Sequence, residues 1–336
     1  MESESNKRIT LTKLLIVVAV LIVVFLIWAF LRSNSLTVVE NIPITSLNKL
    51  AITEDQIYTV EGNLLTAHSY KGEVKWTKTV GLNEPILAAT EDRIYLGEGR
   101  KLLILDNKGE SVKELDLPLD CLAMKRSQDQ IFIKSHVRQL LLKKDELATM
   151  VSNGSARMLG ASLNETQEES IFTSLEFREG RLLSQIIWTD DQGGVLSKHS
   201  FFDEIVEFSD FFDEDSGVFA TNEFIYLFQK GLVRKHVAVN FLKGIDISKN
   251  RLYLLDLDDL VVYDENLELK DRVPLKNDYK GIAAVKDGVV LYHENGYAVY
   301  SVGSVRDQES QREIQDVQVI NDHIYLIHSD AISVIY

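Results

Sequence analysis

AITEDQIYTVEGNLLTAHSYKGE, at residues 51–73, is followed at an offset of 37 residues by AATEDRIYLGEGRKLLILDNKGE, at residues 88–110. Twelve of the 23 aligned positions are identical, which is far more than unrelated segments share. Near the carboxyl end the same offset relates Lys243-Gly244-Ile245 to Lys280-Gly281-Ile282. A repeat of this length is typical of solenoids, propellers and other arrays, in which each unit buries its apolar face against the next unit.

Each copy predicts strands, because its apolar runs are short, rich in β-branched and aromatic residues, and bounded by Asn, Asp and Gly. The four strands of the first copy are expected at residues 49–53, 56–60, 64–69 and 74–80. In the degenerate middle of the chain, strand-like runs remain at residues 171–177, 182–188 and 224–228. Four strands in about 40 residues are typical of a β-propeller blade, so we predict an all-β chain with this fold.

The number of blades follows from the number of copies. First strands are expected near Leu50, Leu87, Leu122, Arg157, Val206, Ile245, Ile282 and Val317. These positions predict eight four-stranded blades, and seven is the alternative if the degenerate middle holds one blade fewer. The last copy stops after its third strand, whereas residues 36–44 form a spare strand before the first blade. Pairing of that strand with the last blade would close the ring and remove two open sheet edges.

Residues 67–76, AHSYKGEVKW, resemble the blade motif of the pyrroloquinoline-quinone-type propeller repeat. The motif of that family is A-x-D-x-x-G-x-x-x-W, and its tryptophan docks one blade on the next. Gly72 and Trp76 match the pattern, whereas Ser69 stands at the aspartate position. The second copy keeps Asp106 and Gly109 but lacks the tryptophan, since Val112 and Lys113 fall there.

This superfamily includes quinone-dependent dehydrogenases, and membership among them would imply a large central site with a cofactor, calcium and a vicinal disulfide. Cys121 is the single cysteine of the chain, so that disulfide is excluded. No insertion of the required size interrupts the repeat. The chain is more similar to the non-enzymatic relatives, such as the outer-membrane assembly lipoprotein, which act as binding scaffolds. The resemblance thus implies a membrane-anchored, non-enzymatic member of the superfamily.

The amino-terminal region predicts a membrane anchor. Residues 14–31, LLIVVAVLIVVFLIWAFL, form an apolar run that as a helix spans about 27 Å, close to the hydrocarbon core of a bilayer. Lys7, Arg8 and Lys13 precede the run, and basic residues favour the cytoplasmic side. We predict a single-pass protein of the plasma membrane with a cytoplasmic tail (1–13), an uncleaved transmembrane helix (14–31) and an extracytoplasmic propeller (36–336).

A cleaved signal peptide is the alternative interpretation of this run. Its apolar region would be unusually long, and no A-x-A cleavage site follows it.

The charge limits the classes of partner. The chain has 36 basic and 51 acidic residues, a formal charge of −15, and without residues 1–33 it carries 32 basic and 49 acidic residues, or −17. Nucleic acid is not expected as a partner, because phosphate binding needs a basic face. Anionic lipid headgroups would repel the predicted extracytoplasmic domain.

No motif for catalysis, cofactor binding or metal binding is visible. The seven histidines show neither H-x-H nor H-E-x-x-H spacing, so no metal and no cofactor is expected. Two acidic runs lack the pattern of a calcium loop and are expected to be solvated loop carboxylates. They consist of Asp210, Asp213, Glu214 and Asp215, and of Asp256, Asp258 and Asp259 around Leu257.

A cluster of aromatic residues marks the part of the chain where the repeat is most degenerate. It consists of Phe201, Phe202, Phe208, Phe211 and Phe212. Exposed aromatic side chains surrounded by charge are typical of interaction patches, so these residues are the predicted partner surface. The alternative is that they fill the core between blades.

These observations favour a membrane-anchored, extracytoplasmic propeller that binds an envelope protein or polymer and has no enzymatic activity. The alternative is an extracellular propeller enzyme that acts on a carbohydrate or a quinone-linked substrate. That alternative requires clustered polar residues at the loop ends of the blades, together with a cofactor or a metal.

Overall fold

The computed structural model describes residues 38–44, 46–143, 145–301, 303–321 and 323–335. Within these residues, strands β1 to β31 form eight sheets, and a short 3₁₀ helix covers Leu47–Lys49. The predicted cytoplasmic tail and transmembrane helix, residues 1–31, lie outside the described residues. In the part of the chain that is described, no helix is both long and apolar enough to cross a membrane.

Each sheet is one blade, and its strands are named a to d from the first strand outward. The a strands are β2 (Leu50–Ile52), β6 (Ile86–Ala89), β9 (Ala123–Ser127), β13 (Arg157–Leu163), β17 (Val206–Phe211), β21 (Leu242–Ser248), β25 (Gly281–Val285) and β29 (Asp316–Ile320). The a strands of neighbouring blades contact each other, as β13 does β17 and β21 does β25, so they surround the centre of the ring. Eight a strands lie where the sequence predicted them, and the eight-bladed propeller is confirmed.

Strands b and c form the middle of each blade. The b strands are β3 (Ile57–Glu61), β10 (Gln130–Lys134), β14 (Glu169–Arg178), β18 (Ser216–Thr221), β22 (Arg251–Asp256), β26 (Gly288–His293) and β30 (His323–Ile327). The c strands are β4 (Leu64–His68), β11 (Arg138–Lys143), β15 (Arg181–Asp190), β19 (Phe224–Gln229), β23 (Asp259–Asp264), β27 (Gly296–Ser301) and β31 (Ala331–Ile335). In blade 2, β7 (Arg93–Asp106) takes both positions: Ile94 to Gly97 pair with β6, and Lys101 to Leu105 pair with the outer strand.

The d strands form the outer edges of the blades. They are β5 (Val74–Thr79), β8 (Ser111–Cys121), β12 (Glu146–Ser152), β16 (Val195–Phe202), β20 (Leu232–Ala238), β24 (Leu269–Pro274), β28 (Ser304–Glu309) and β1 (Val38–Pro43). The last blade takes its d strand from the start of the propeller, because β1 pairs with β31. The backbone N–H of Ile44 donates to the carbonyl of Asp330 at 3.1 Å. This is the closure that the sequence predicted for residues 36–44.

The core lies between blades, and β22 shows why its sequence is almost continuously apolar. Leu252 and Leu254 pack with residues of blade 5, whereas Tyr253 and Leu255 pack with residues of blade 7. Since successive side chains of a strand point to opposite faces, a strand covered on both faces needs apolar residues at every position. Truncation of one such leucine is expected to cost about 2–5 kcal/mol of stability.

In blades 1, 2, 4, 5 and 6, one position of the d strand contacts the next blade near its c–d turn. In blade 1 it is Trp76, whose ring lies so close to Gly109 in the c–d turn of blade 2 that a Cβ there would come within 3.0 Å of it. Gly109 has φ +80°, which favours glycine independently. The indole therefore docks on the next blade as the motif resemblance implied.

The same position makes the same joint in blades without the tryptophan. It lies four residues after the c–d turn residue with positive φ, and we call it the joint position. In blade 2 it is Lys113, which donates to the carbonyl of Asp145 at 3.1 Å. In blades 4, 5 and 6 it is Ser197, Lys235 and Asp271, which contact Gly231, Glu268 and Tyr300 respectively. The joint is thus kept while its side chain changes.

Most outer strands carry a β-bulge near their start. The extra residues, placed by the register shifts against the c strands, are Lys75, Val112, Ala148, Leu196, Arg234 and Lys270. In blade 7, β27 and β28 pair without a shift. Because a bulge increases the local twist and interrupts the ladder, it discourages pairing of the free edge with another chain.

The joint between blades 1 and 2 predicts a difference between two glycine substitutions. Gly109 and Gly180 both have φ +80°, but a Cβ at Gly180 would meet nothing within 4 Å. We expect Gly109→Ala to lower the free energy of unfolding by about 1–3 kcal/mol more than Gly180→Ala, because only the former overpacks against Trp76. Denaturant titration of the two variants measures this difference, and equal losses would show that backbone strain alone is responsible.

Candidate binding faces and central channel

The structure places two of the five predicted partner-binding phenylalanines in the core. Phe211 packs with Ile171 and Trp188 between blades 4 and 5, and its ring centroid lies 5.1 Å from that of Trp188, edge to face. Phe212 lies in the next cluster, between blades 5 and 6. Both rings are less than a tenth exposed.

The other three predicted residues differ in exposure. Phe201 is partly buried, with its ring centroid 5.0 Å from that of Phe219, and Phe208 is partly buried against the cluster between blades 5 and 6. Phe202 is 49% exposed, and the guanidinium of Arg181 lies 4.8 Å from its ring centroid. Phe211 and Phe212 thus fill the inter-blade core, which is the alternative that the sequence left open, and Phe201 and Phe208 pack against it while partly exposed. The five residues do not form one exposed patch.

Two of the predicted loop carboxylates lie elsewhere. Asp210 belongs to β17, the a strand of blade 5, and its carboxylate accepts from the Phe211 N–H at 2.8 Å. Asp256 ends β22 and is 4% exposed. The expectation of solvated loop carboxylates was wrong for both residues, whereas Asp213 and Asp215 do lie exposed in the a–b turn of blade 5.

A cavity of about 580 Å³ occupies the centre of the ring on the side of blades 8, 1, 2 and 3. Its walls come from β29, β2, β6 and β9, and polar atoms contribute more of its accessible surface than apolar atoms do. Met124, Lys125 and Gln318 line it, and the Lys125 side chain is exposed to the channel.

Two carboxylates on other a strands interact electrostatically with Lys125. Burial raises the pKa of Asp210 to about 6, and the charge of Asp246 adds to this increase, whereas the Phe211 N–H and the Lys125 ammonium oppose it. Burial also raises the pKa of Asp246. Asp246 accepts from the N–H of Ile247 at 2.8 Å and from that of Ala284, on the next blade, at 2.7 Å. Asp246 therefore accepts a hydrogen bond from a backbone N–H at the inner edge of β25, where no strand of the same sheet pairs with it.

One face of the ring is defined by the a–b turns, which are linked to one another; we call it the a–b face. The carboxylate of Glu91 accepts from the N–H of Glu54 in blade 1 and from Arg126 in blade 3, at 3.0 and 2.9 Å. Asn164 in blade 4 donates to Glu214 in blade 5 at 3.1 Å. The turns of neighbouring blades are held in place by these contacts.

The a–b face is strongly acidic over blades 1 to 5. The exposed carboxylates of its turns are Glu54, Asp55, Asp92, Asp129, Glu165, Glu168, Asp213 and Asp215. In blades 6 and 7 the corresponding turns expose Lys249, Lys286 and Asp287, and Lys249 forms an ion pair with Asp287. Among the described residues, these a–b turns expose no large apolar side chain.

The opposite face, the b–c face, is formed by the b–c turns and the d–a connections. The two are joined within blades, as where Val80 N–H donates to Asn63 and Val239 N–H donates to Glu223, at 2.8 and 2.9 Å. Among the described residues, this face exposes eight large apolar side chains: Leu47, Leu64, Leu122, Val137, Phe177, Phe202, Phe241 and Leu257. The remaining exposed apolar residues lie at the other end of the blades, near the rim, on c–d turns and at the starts of outer strands.

The groups best suited to catalysis have structural partners. His328 contacts the Glu313 carbonyl and the Ser333 hydroxyl at 2.9 Å each, and His199 contacts the Gly231 carbonyl at 2.7 Å. Burial raises the pKa of the Cys121 thiol to about 12, which disfavours the reactive thiolate. In the described part of the chain, no three His, Cys, Asp or Glu side chains are arranged to hold a metal ion.

Comparison with known proteins supports the fold and no closer relationship. No protein-family model matches the chain, and no curated protein matches it. BamB from Moraxella catarrhalis is similar in structure, with a TM-score of 0.61 and 11% identity over 89% of this chain and 97% of that chain. Sqt1 of Saccharomyces cerevisiae gives a TM-score of 0.65 and 11% identity, covering 88% of this chain and 99% of its own.

A third similar structure is BBS1N, solved in complex with ARL6DN. It gives a TM-score of 0.52 and 11% identity over 73% of this chain and 86% of that chain. At such identities these similarities show the propeller fold alone.

The sequence did not reveal the channel residues or the two faces. Lys125, Asp210 and Asp246 lie on a strands of three different blades, so no local motif joins them. The exposed residues of the b–c face are scattered from Leu47 to Leu257. The position of the b–c face residues within the repeat could have indicated this face, because all of them lie in turns, in connections or at strand ends on the same side.

The packing of the phenylalanines predicts opposite effects for neighbouring substitutions. We expect Phe211→Ser or Phe212→Ser to lower the free energy of unfolding by about 3–5 kcal/mol, as for other buried phenylalanine truncations. Phe202→Ser serves as the control and is expected to change it by less than about 1 kcal/mol. Chemical denaturation measures all three, and a small loss for Phe211→Ser would contradict its place in the core.

Asp210 predicts a pH dependence of stability. Its pKa is raised from 3.8 to about 6 in the folded protein. The folded state therefore retains a proton that the unfolded state has lost, and stability from this group falls as the pH rises between these values. We expect the melting temperature of Asp210→Asn, relative to the unaltered protein, to rise over this interval and then to level off.

Asp92→Asn, at an exposed turn position, is the control and should show no such rise. A difference between Asp210→Asn and the unaltered protein that stays constant with pH would contradict the raised pKa.

Proposed function

We propose that this protein is a non-enzymatic binding module, anchored in the plasma membrane by residues 14–31, whose extracytoplasmic propeller binds an envelope protein or polymer. The observation that supports this proposal best is the composition of the b–c face. Among the described residues, eight large apolar side chains are exposed there, in turns, connections and strand ends, whereas the a–b turns of the opposite end expose carboxylates and its exposed apolar residues lie at the rim. Exposed apolar side chains that adjoin one another favour an interaction surface, and Phe241 and Leu257 on the b–c face do so.

The course of β1 supports the b–c face as the accessible one. β1 ends at Pro43, and the next residue, Ile44, bonds to Asp330 in the b–c turn of blade 8. Since β1 pairs with β31, it starts at the other end of the blade, where the a–b turns lie. The described part of the chain thus begins at the end of blade 8 that is opposite the b–c face.

Two further observations favour binding over catalysis. The histidines and the cysteine described above are occupied in packing and hydrogen bonding, with no arrangement that activates a nucleophile. The structural neighbours include BBS1N, which was solved in a complex with another protein. A role as a scaffold for protein–protein interaction is consistent with both.

Site-specific photo-crosslinking in intact cells tests the proposed face. A photoreactive residue is placed at Phe177, Phe202 or Phe241 on the b–c face, and at Glu54 or Asp92 on the a–b face as matched exposed controls. We expect a common partner to be captured from the b–c positions and not from the controls. Capture from the a–b positions alone would contradict the proposal.

The anchoring is tested separately, by adding protease to intact cells. We expect digestion beyond Arg32 and protection of residues 1–13, because the basic residues precede the apolar run. A protected carboxyl-terminal domain would overturn the proposed topology.

A further inference from the structure

Phe241 and Leu257 are two exposed apolar residues of the b–c face whose backbones lie next to each other. The backbone N–H of Leu257 donates to the carbonyl of Phe241 at 2.8 Å. Phe241 is 58% exposed and Leu257 is 49% exposed. We call these two residues the Phe-Leu patch.

Leu257 has a backbone conformation that leucine rarely adopts. Its φ is +57°, in the left-handed region that favours glycine, asparagine and aspartate. The other described leucine with positive φ, Leu267, has a buried side chain that contributes to packing. At Leu257 the side chain projects into solvent, so the backbone strain is not offset by burial. Such strain is typical of functional positions.

A buried carboxylate holds the backbone of the patch in place. Asp256 is 4% exposed and accepts three hydrogen bonds: from the N–H and the side-chain amide of Asn240 at 3.0 Å each, and from the N–H of Phe241 at 2.8 Å. Because the Phe241 backbone is already ordered, a partner that covers the ring loses less conformational entropy on binding than it would with a mobile loop.

The charge around the patch is negative. Asp258 and Asp278 are exposed, with Lys243 between them at 3.6 and 2.6 Å. Glu223 is exposed as well, and its carbonyl accepts from Val239 N–H, two residues before Phe241. Lys276 is exposed beside them, since the N–H of the preceding Leu275 donates to the carbonyl of Asp258. Three carboxylates thus lie near the patch against two ammonium groups, which leaves the balance negative. This charge disfavours an anionic lipid surface and favours a cationic partner.

We infer that the Phe-Leu patch is the anchor point for a basic amphipathic segment of a partner protein, with apolar side chains covering Phe241 and Leu257 and lysine or arginine meeting Asp258 and Asp278. This inference rests on the proposed function, since it names the chemistry of the partner segment on the b–c face. The patch provides apolar contact area on an ordered backbone, and the carboxylates favour a basic segment over an acidic one.

The test uses full-length protein in lipid nanodiscs and two synthetic helical peptides, one of leucine and lysine and one in which glutamate replaces every lysine. We expect the leucine–lysine peptide to bind, and its glutamate counterpart to bind at least tenfold more weakly. Leu257→Gly and Phe241→Ser are expected to weaken binding of the leucine–lysine peptide at least tenfold. Fluorescence anisotropy measures each affinity.

Leu257→Gly separates binding from folding. Glycine adopts φ +57° without strain, so the melting temperature should be unchanged or higher while binding is lost. Glu179→Gly is the matched control, because Glu179 is also exposed on the b–c face with φ +53° and lies in blade 4. Glu179→Gly should leave the affinity for the leucine–lysine peptide unchanged.

Several results would overturn the inference. One is equal affinity of the unaltered protein and Leu257→Gly for the leucine–lysine peptide, and another is equal affinity for the two peptides. Self-association that sedimentation detects and Leu257→Gly abolishes would identify a second copy as the occupant. Vesicles of anionic lipid that bind through Leu257 would identify a lipid surface.

These outcomes differ from failure of the proposed function. If photo-crosslinks form at Phe177 or Phe202 and Leu257→Gly has no effect, the b–c face still binds a partner and the Phe-Leu patch is not its anchor. If no position on the b–c face forms a crosslink, the proposed function itself fails.

Discussion

The ring depends on the contact between the joint position of one blade and the c–d turn of the next. A propeller blade is covered on both faces by its neighbours, so its apolar strands are stable only if each blade sits close against the next. The turn meets this need by bending through a residue with positive φ, such as Gly109, and so approaching the preceding outer strand. Indole, ammonium, hydroxyl and carboxylate groups all serve at the joint because the backbone geometry is shared.

Much of the fold was predictable because the information for strands and turns is local. The Asn, Asp and Gly turn signals and the β-branched runs placed eight a strands, from Leu50 to Val317, even where the repeat itself is degenerate. The closure by β1 was predictable from counting, since the last copy lacks a strand and residues 36–44 supply one. The tryptophan motif was of little use beyond Trp76, because Lys113 and Ser197 make equivalent joints without it.

The binding surfaces were less predictable, because they depend on which blade covers which side chain. Phe202 and Phe212 are each the second residue of a Phe-Phe-Asp-Glu run, yet a neighbouring blade covers only Phe212. Asp256 appeared to be one more loop carboxylate, but the Asn240 segment folds over it and uses its oxygens. In a strand that is buried on both faces, apolar residues occupy successive positions, so the sequence does not show toward which neighbouring blade a side chain points. The exposure of apolar side chains is therefore decided at the turns and strand ends.

The contact at the joint position also affects how the number of blades can increase by gene duplication. Since the joint position contacts mainly the turn of the next blade, a duplicated blade brings with it both the position and the turn that these contacts require. The high identity of residues 51–73 and 88–110 is consistent with a late duplication of this kind. A ring assembled from interchangeable joints allows the middle copies to diverge freely, and this is where the aromatic residues of blades 4 and 5 have accumulated.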